Sequence, residues 1–208
     1  MTWLSGLWLA SYTSVAQAES KPQTKTLLVL GDSLSAAYGL PTETGWVRLM
    51  AAQWPELQVV NASIGGETSS GGLNRLPQLL KTHQPDWVIL ELGANDALRG
   101  QSLQSTRQNL QKIIDQSRAD GAKVLLLGIR LPTNYGPAYD ALLQKTYRQL
   151  AEQNGLLFDP FFLEPVADDP TMVQEDGLHP NAKAQPILWQ RLEPLVKRLI
   201  TESTASSR

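Results

Sequence analysis

The 208-residue chain contains no cysteine and only two histidines, His83 and His179. Without cysteine, the chain can form no disulfide, no thiolate nucleophile and no cysteine-ligated metal site. Two histidines are also few for a metal centre that uses imidazole nitrogens as ligands. A histidine that takes part in chemistry must therefore be one of these two.

The chain also lacks an excess of charge, since 18 Lys and Arg against 20 Asp and Glu give a net charge of −2 at pH 7. No basic cluster stands out, which argues against nucleic acid and against an anionic membrane surface as the main partner. No segment reaches the roughly 20 apolar residues of an integral membrane span. At 42% hydrophobic and 18% charged, the composition is typical of one globular domain large enough to bury a full core.

The first 18 residues contain no charged side chain. They have an apolar centre over Trp3–Leu9 and end in Ala16-Gln17-Ala18, small residues at the spacing of a signal-peptidase site. We therefore expect a signal peptide cleaved after Ala18 and a periplasmic or secreted protein. A disordered or amphipathic tail is the alternative. The predicted divisions are a signal peptide over 1–18, an N-terminal extension over 19–25, a single domain over 26–200 and a C-terminal tail over 201–208.

Five short apolar runs are typical of buried strands. They are Leu27–Leu30, Leu57–Val60, Trp87–Leu92, Val124–Leu127 and Leu156–Phe158. Between them, apolar residues recur at the spacing of one helix face, so strands and helices alternate along the chain. This alternation predicts an α/β protein with a parallel sheet covered on both faces. We expect a three-layer α/β/α, flavodoxin-like fold with five parallel strands in the order 2-1-3-4-5.

The first apolar run stops abruptly at Gly31-Asp32-Ser33. Open parallel sheets carry their sites at the carboxyl ends of the strands, so this strand would deliver Ser33 to the functional edge. A serine after a strand is more often a helix cap or a turn residue, and Ser33 alone indicates no chemistry.

Small, polar, Gly-rich stretches also follow the second and third runs. They are Asn61–Thr68 and Gly93–Asp96. Because strands one and three are neighbours at the switch point of this sheet order, Ser33, Gly66 and Asn95 would face one crevice. Each stretch alone is consistent with ordinary turn chemistry, and it is their convergence that favours a site.

The two histidines differ in context. His83 precedes the third strand and is expected at a helix C-terminus, opposite the crevice. His179 lies in Asp176-Gly177-Leu178-His179-Pro180, where Pro180 keeps His179 extended and the Asp-Gly turn lets Asp176 fold back toward the imidazole. An Asp bonded to one ring nitrogen leaves the other as a base, which a serine nucleophile requires. A capping or buried structural role is the alternative for His179.

Taken together, four segments resemble the sequence blocks of the SGNH, or GDSL, hydrolases. They are Gly31–Leu34, Gly66, Gly93–Asp96 and Asp176–His179. The likeness extends from about Thr26 to about Leu199. Connecting segments such as Ile129–Pro132 are similar to the bacterial multifunctional acyl-CoA thioesterase I/lysophospholipase L1/arylesterase subgroup. The serine motif is not the G-x-S-x-G elbow of α/β-hydrolases, because position 35 is Ser.

The resemblance implies a role for each matched position. Ser33 would be the nucleophile, His179 its base and later its acid, and Asp176 the residue that orients His179. The oxyanion would be held by the backbone N–H groups of Ser33 and Gly66 and by the side-chain amide of Asn95.

Further positions are assigned supporting roles. Asp32 and Asp96 are expected to brace the loops rather than to react. The candidate residues for the substrate pocket are Leu98, Leu131, Pro132 and Tyr135. The family resemblance implies no cofactor and no metal, a small-molecule ester or thioester substrate, and a monomer.

These observations predict a serine esterase or thioesterase that acts on acyl-CoA, lysophospholipid or aryl ester substrates through an acyl-enzyme on Ser33. A carbohydrate acetylesterase of the same family is one alternative. A non-catalytic binding module on the same fold is another. The third is a metal-dependent phosphoesterase with the ligands Asp32, Asn61, Asn95, Asp96 and His179, which one available histidine disfavours.

Overall fold

The computed structural model describes residues 24–202. The predicted signal peptide over 1–18, most of the extension and residues 203–208 lie outside the described residues. The strands are β1 (Thr26–Gly31), β2 (Gln58–Asn61), β3 (Trp87–Glu91), β4 (Lys123–Leu127) and β5 (Leu157–Asp159). The helices are α1 (Trp46–Gln53), α2 (Ser69–His83), α3 (Ala94–Leu98), α4 (Leu103–Ala119), α5 (Pro137–Asn154) and α6 (Ala184–Thr201). Three single-turn 3-10 helices cover Thr42–Thr44, Thr133–Tyr135 and Pro170–Met172.

The five strands form one parallel sheet in the order β2-β1-β3-β4-β5. This confirms the predicted α/β class and the predicted strand order. In the register, Leu28 of β1 lies opposite Val60 of β2 on one side and Val88 of β3 on the other. Because β1 and β3 are neighbours, the loops that follow them leave the sheet side by side at its carboxyl edge.

Helices cover both faces of the sheet. The α1 and α6 helices contact each other, and α4 contacts both α2 and α5. Every residue of β1 and β3 is buried, which explains why both strands are almost continuously apolar in sequence. The β2 strand is more exposed than the apolar run predicted, because it is an edge strand with a single neighbour.

The buried β3 strand ends in an acidic residue, Glu91. Glu91 lies opposite Gly31 in the register and is fully buried. Its Oε2 atom accepts hydrogen bonds from the Ser35 hydroxyl at 2.8 Å and from the Asp32 backbone N–H at 3.2 Å. Glu91 therefore ties the end of β3 to the turn that carries Ser33.

Asp32 is also buried, and its carboxyl group lies close enough to that of Glu91 for each to affect the charge of the other. Burial is the main reason that the pKa of Glu91 lies well above its ordinary value, and the charge of Asp32 raises this pKa further. Burial also raises the pKa of Asp32 to about 6, although hydrogen bonds from the Leu34 N–H, Glu91 and Asn95 oppose the shift. Both carboxyl groups therefore keep their protons to a higher pH in the folded chain than in the unfolded chain.

This pair predicts how stability depends on pH. Both folded-state pKa values are raised, so the pair favours folding below about pH 4 and loses that contribution as pH rises through about 6 and beyond. We expect Asp32 alone to account for a loss of roughly 3 kcal/mol of unfolding free energy over this range, and Glu91 to add to it. In Glu91→Gln the amide oxygen can still accept from Ser35, and the decline is smaller because one titrating group is gone.

Urea unfolding of the wild type and of Glu91→Gln across pH 4–8 measures this difference. The matched control is Glu56→Gln, which removes an exposed carboxylate and should leave the wild-type decline intact. An equal decline in all three proteins would mean that the buried pair is not its source.

Candidate active site

Ser33, His179 and Asp176 form one line of hydrogen bonds across the carboxyl edge of the sheet. The Ser33 Oγ atom lies 2.8 Å from His179 Nε2, although 146 positions separate the two residues in sequence. On the other side of the ring, His179 Nδ1 lies 2.6 Å from Asp176 Oδ2. The imidazole therefore has a carboxylate at one nitrogen and a hydroxyl at the other, which is the arrangement that can move a proton away from serine.

The loop between the third 3-10 helix and α6 holds Asp176 in place. Its Oδ1 atom accepts from the backbone N–H groups of Leu178 at 2.9 Å and His179 at 3.0 Å, so Oδ2 faces the ring. Gly177 has a φ of +66° and lets the chain turn sharply between these residues. Burial acts to raise the pKa of Asp176, but the hydrogen bonds from His179 and Leu178 outweigh it and lower this pKa to about 2. Asp176 is therefore ionised at neutral pH and keeps the ring proton on Nδ1.

Three hydrogen-bond donors line one cavity: the backbone N–H groups of Ser33 and Gly66 and the side-chain amide of Asn95. The cavity has a volume of about 350 Å³, and Ser33, Gly66 and Asn95 all contribute to its wall. Within residues 24–202, the backbone N–H groups of Ser33 and Gly66 have no hydrogen-bond acceptor. Gly66 has a φ of +75°, a conformation that favours glycine, and Arg99 donates to its carbonyl at 2.9 Å. These free N–H groups can bind an anionic oxygen above Ser33.

The side-chain amide of Asn95 is held by Asp32. Asn95 Nδ2 donates to Asp32 Oδ2 at 2.9 Å, while the other carboxylate oxygen of Asp32 accepts from the Leu34 N–H at 3.0 Å. An amide nitrogen carries two hydrogens, so Asn95 keeps one for a ligand. Asp32 thereby connects the turn that carries Ser33 to the third donor.

Asp96 has a different environment from Asp32. Its buried carboxylate accepts from the backbone N–H and the hydroxyl of Ser69 and from the hydroxyl of Thr106. These contacts join α3 to the start of α2 and to α4. Asp96 is absent from the cavity wall, and it orders the elements that carry Gly66 and Asn95.

More residues line the cavity than the four pocket candidates chosen from sequence. Leu98, Leu131 and Pro132 line it, whereas Tyr135 is not part of the wall and donates from its hydroxyl to the Leu98 carbonyl at 3.2 Å. The structure adds lining residues that the sequence did not assign to the pocket: Leu34, Tyr38, Ile129, Arg130, Leu163 and Leu178. Ile129 and Arg130 directly precede Leu131 and follow a strand, a position that could have marked them, but nothing in the sequence marked Leu163.

The five ligands of the metal-dependent alternative have other contacts. The Asn61 amide donates to the Ser35 carbonyl at 2.9 Å, and the carboxylate of Asp96 is occupied by Ser69 and Thr106. Across residues 24–202, no group of three His, Asp or Glu side chains is placed to hold a metal ion. His83 is the last residue of α2 and lies outside the active-site cavity. None of the helices between residues 24 and 202 has the length and hydropathy needed to cross a membrane.

Comparisons with known proteins agree with this geometry. Residues 29–186 match the GDSL-like lipase/acylhydrolase family, a range that includes both Ser33 and His179. Esterase TesA of Pseudomonas aeruginosa is 45% identical over 201 residues, covering 95% of this chain and all of the relative. Thioesterase 1/protease 1/lysophospholipase L1 of Escherichia coli is 48% identical over 176 residues, covering 82% of this chain and 85% of the relative.

A crystal structure of TesA superposes with a TM-score of 0.82 at 49% identity, covering 84% of this chain and 99% of that one. The family match spans most of the domain, and the relatives align over nearly their whole length. With five parallel strands in the order 2-1-3-4-5 and a serine at the end of the first, this chain belongs to the GDSL-like lipase/acylhydrolase family.

Proposed function

We propose that this protein hydrolyses acyl esters and thioesters through a covalent acyl-enzyme on Ser33. The observation that carries the proposal is the line of hydrogen bonds from Asp176 through His179 to Ser33, which lies in a cavity that is also lined by Gly66 and Asn95. The esterase and thioesterase names of the close relatives support the same reaction class.

In the first half of the reaction, Ser33 Oγ attacks the carbonyl carbon of the substrate while its proton passes to His179 Nε2. Asp176 stabilises the imidazolium that forms, because its carboxylate is ionised at neutral pH. The carbonyl oxygen becomes negative and is bound by the N–H groups of Ser33 and Gly66 and by the amide of Asn95. These donors act most strongly on the charge that develops in the transition state.

In the second half, the tetrahedral intermediate collapses and its bond to the alcohol or thiol breaks. His179 gives the proton to the leaving group, and the acyl group stays on Ser33. A water molecule then gives a proton to His179 and attacks the acyl carbon, and the same donors bind the second oxyanion. Collapse releases a carboxylic acid and returns the proton to Ser33.

The wall of the cavity supports an apolar acyl group as the substrate portion bound beside Ser33. Leu98, Ile129, Leu131 and Leu163 line one connected surface that a hydrocarbon chain can fill. The acetyl group of a carbohydrate acetate would leave most of this surface uncovered. Acyl esters and thioesters with a longer alkyl or aryl group are therefore the proposed substrates, and a carbohydrate acetate is the weaker candidate.

Substitution of the nucleophile and its base tests the proposal. We expect Ser33→Ala and His179→Ala each to lower kcat by about 10⁴-fold or more on acyl thioesters and p-nitrophenyl esters, because the two residues act in one step. The double variant should then be little worse than either single variant. A fluorophosphonate probe should label Ser33 in the wild type and fail to label His179→Ala.

The same assays separate the alternatives. Turnover should persist in the presence of a chelator, since no step uses a metal ion. Losses that add up in the double variant, or labelling that does not depend on His179, would contradict a shared proton-transfer step.

Asn95 provides a sharper test of the oxyanion site. Asn95→Ala removes one donor but keeps Ser33 and His179, so we expect kcat to fall by about 10²–10³-fold with little rise in KM. Asn95→Asp should be worse, because a carboxylate repels the oxyanion and has no N–H to donate. Steady-state kinetics on one activated ester decide the matter.

Labelling of Ser33 by the fluorophosphonate is the control for an intact nucleophile in both Asn95 variants, and it should be slower but complete. An increase in KM with unchanged kcat would instead make Asn95 a ground-state binding residue.

We also infer that the protein is exported to the periplasm. The apolar segment over Trp3–Leu9 and the small residues at Ala16 and Ala18 support cleavage by signal peptidase. Expressed with its native N-terminus, the protein should appear in a periplasmic extract with the intact mass of a chain that begins at Glu19. Ala18→Leu should block processing, because the peptidase needs a small residue at that position. Full-length wild-type protein confined to the cytoplasm would overturn this inference.

A further inference from the structure

Tyr38 lies against the imidazole of His179 at the mouth of the cavity. The two ring centroids are 4.6 Å apart, and the ring planes are inclined by 38°. A cation within about 6 Å of an aromatic ring centroid is attracted by the negative face of the ring. Tyr38 is 54% exposed, so its position is not explained by burial in the core.

The backbone before Tyr38 adopts an unusual conformation. Ala37 has a φ of +56°, in the left-handed region that residues with a side chain rarely occupy. The Tyr38 N–H then donates to the Ser33 carbonyl at 3.2 Å, which closes the turn that carries the nucleophile. Strain of this kind persists only where surrounding contacts maintain it, and it is concentrated at functional sites.

Gln174 supplies such contacts by joining the Tyr38 turn to the His179 loop. Its side-chain Nε2 donates to the Tyr38 carbonyl at 2.8 Å and to the Pro180 carbonyl at 3.1 Å. Its backbone N–H donates to the His179 carbonyl at 2.8 Å. One residue therefore fixes the distance between the two loops, and the contact between the two rings does not depend on a bound substrate.

We propose that Tyr38 is a positioning residue for the reaction, whose ring holds the imidazole of His179 toward Ser33 and favours its protonated form during proton transfer. This inference rests on the proposed function, in which His179 accepts the proton of Ser33. Tyr38 itself gains and loses no proton. The proton passes from Ser33 Oγ to His179 Nε2 and then to the leaving group, while the ring face of Tyr38 stabilises the intermediate imidazolium.

Several other groups face His179 and set the background for this effect. Asp176 is bonded to Nδ1 within the same loop, and the charge of Asp32 on the β1 turn interacts with the imidazole across the cavity. Arg130, which follows β4, also lines this cavity. These charges are unchanged when Tyr38 is replaced, so a difference between Tyr38 variants reports the ring alone.

The test compares Tyr38→Leu with Tyr38→Phe in a pH profile of kcat/KM on an activated ester. Tyr38→Phe keeps the ring and removes only the hydroxyl, so its acidic limb should stay closer to that of the wild type than the limb of Tyr38→Leu does. Tyr38→Leu keeps apolar bulk but loses the ring face. Its acidic limb should lie at lower pH than that of Tyr38→Phe, because no ring faces the imidazolium that forms during proton transfer.

The split between kinetic constants separates positioning from substrate contact. Tyr38→Leu should lower kcat by about 3-fold to 10-fold with KM nearly constant, since the ring acts on the base rather than on bound substrate. Gln174→Met, which removes both side-chain donors but keeps the length, should move the acidic limb in the same direction by a smaller amount. A raised KM with an unmoved limb, or identical limbs for Tyr38→Leu and Tyr38→Phe, would overturn the inference.

Failure of this inference can be distinguished from failure of the proposed function. Fluorophosphonate labelling of Ser33 that requires His179 tests the function in the wild type, without reference to Tyr38. Because Tyr38 is exposed and lies outside the core, both Tyr38 variants should also unfold at the wild-type urea midpoint. Normal labelling and normal stability together with an unmoved acidic limb would reject the role of Tyr38 alone.

Discussion

The adjacency of β1 and β3 in the centre of the sheet is the constraint on which the site depends. Parallel pairing places Gly31 opposite Glu91, so the turns after the two strands begin at the same height on the same edge. Ser33 and Asn95 are thereby brought to one cavity from segments about sixty residues apart. The remaining parts of the site are then added by loops that cross this edge, with Gly66 after β2 and His179 before α6.

Beneath the turn that carries Ser33, the protein uses buried carboxyl groups where an apolar core would be more stable. Glu91 binds the Asp32 N–H and the Ser35 hydroxyl, and Asp32 in turn holds the amide of Asn95. Burying two carboxyl groups together is costly, and the raised pKa of each reports that cost. The benefit is orientation, because a donor that is already aligned needs no reorganisation when the oxyanion of the proposed reaction forms.

Much of the architecture could be predicted because it follows from patterns that are local in the sequence. The buried strands β1 and β3 are continuous apolar runs, and their ends were predicted to within one residue. The edge strand β2 was expected to be buried and is not, because an apolar run does not reveal how many neighbours a strand has. Glu91 was visible as one acidic residue at the end of an apolar run, but sequence alone gave no reason to connect it with Asp32.

By itself, the sequence determined the alternation of strands and helices, the strand order expected of the family, and the residue types able to perform acyl transfer. Those features follow from periodicity, from turn chemistry and from short motifs, which are local along the chain. Only the tertiary structure decided the distance from Ser33 to His179, the hydrogen bond from Asn95 to Asp32, and the contact of Tyr38 with the imidazole. These contacts join segments that only the packing of the sheet and its loops brings together, and no local pattern encodes the distance between them.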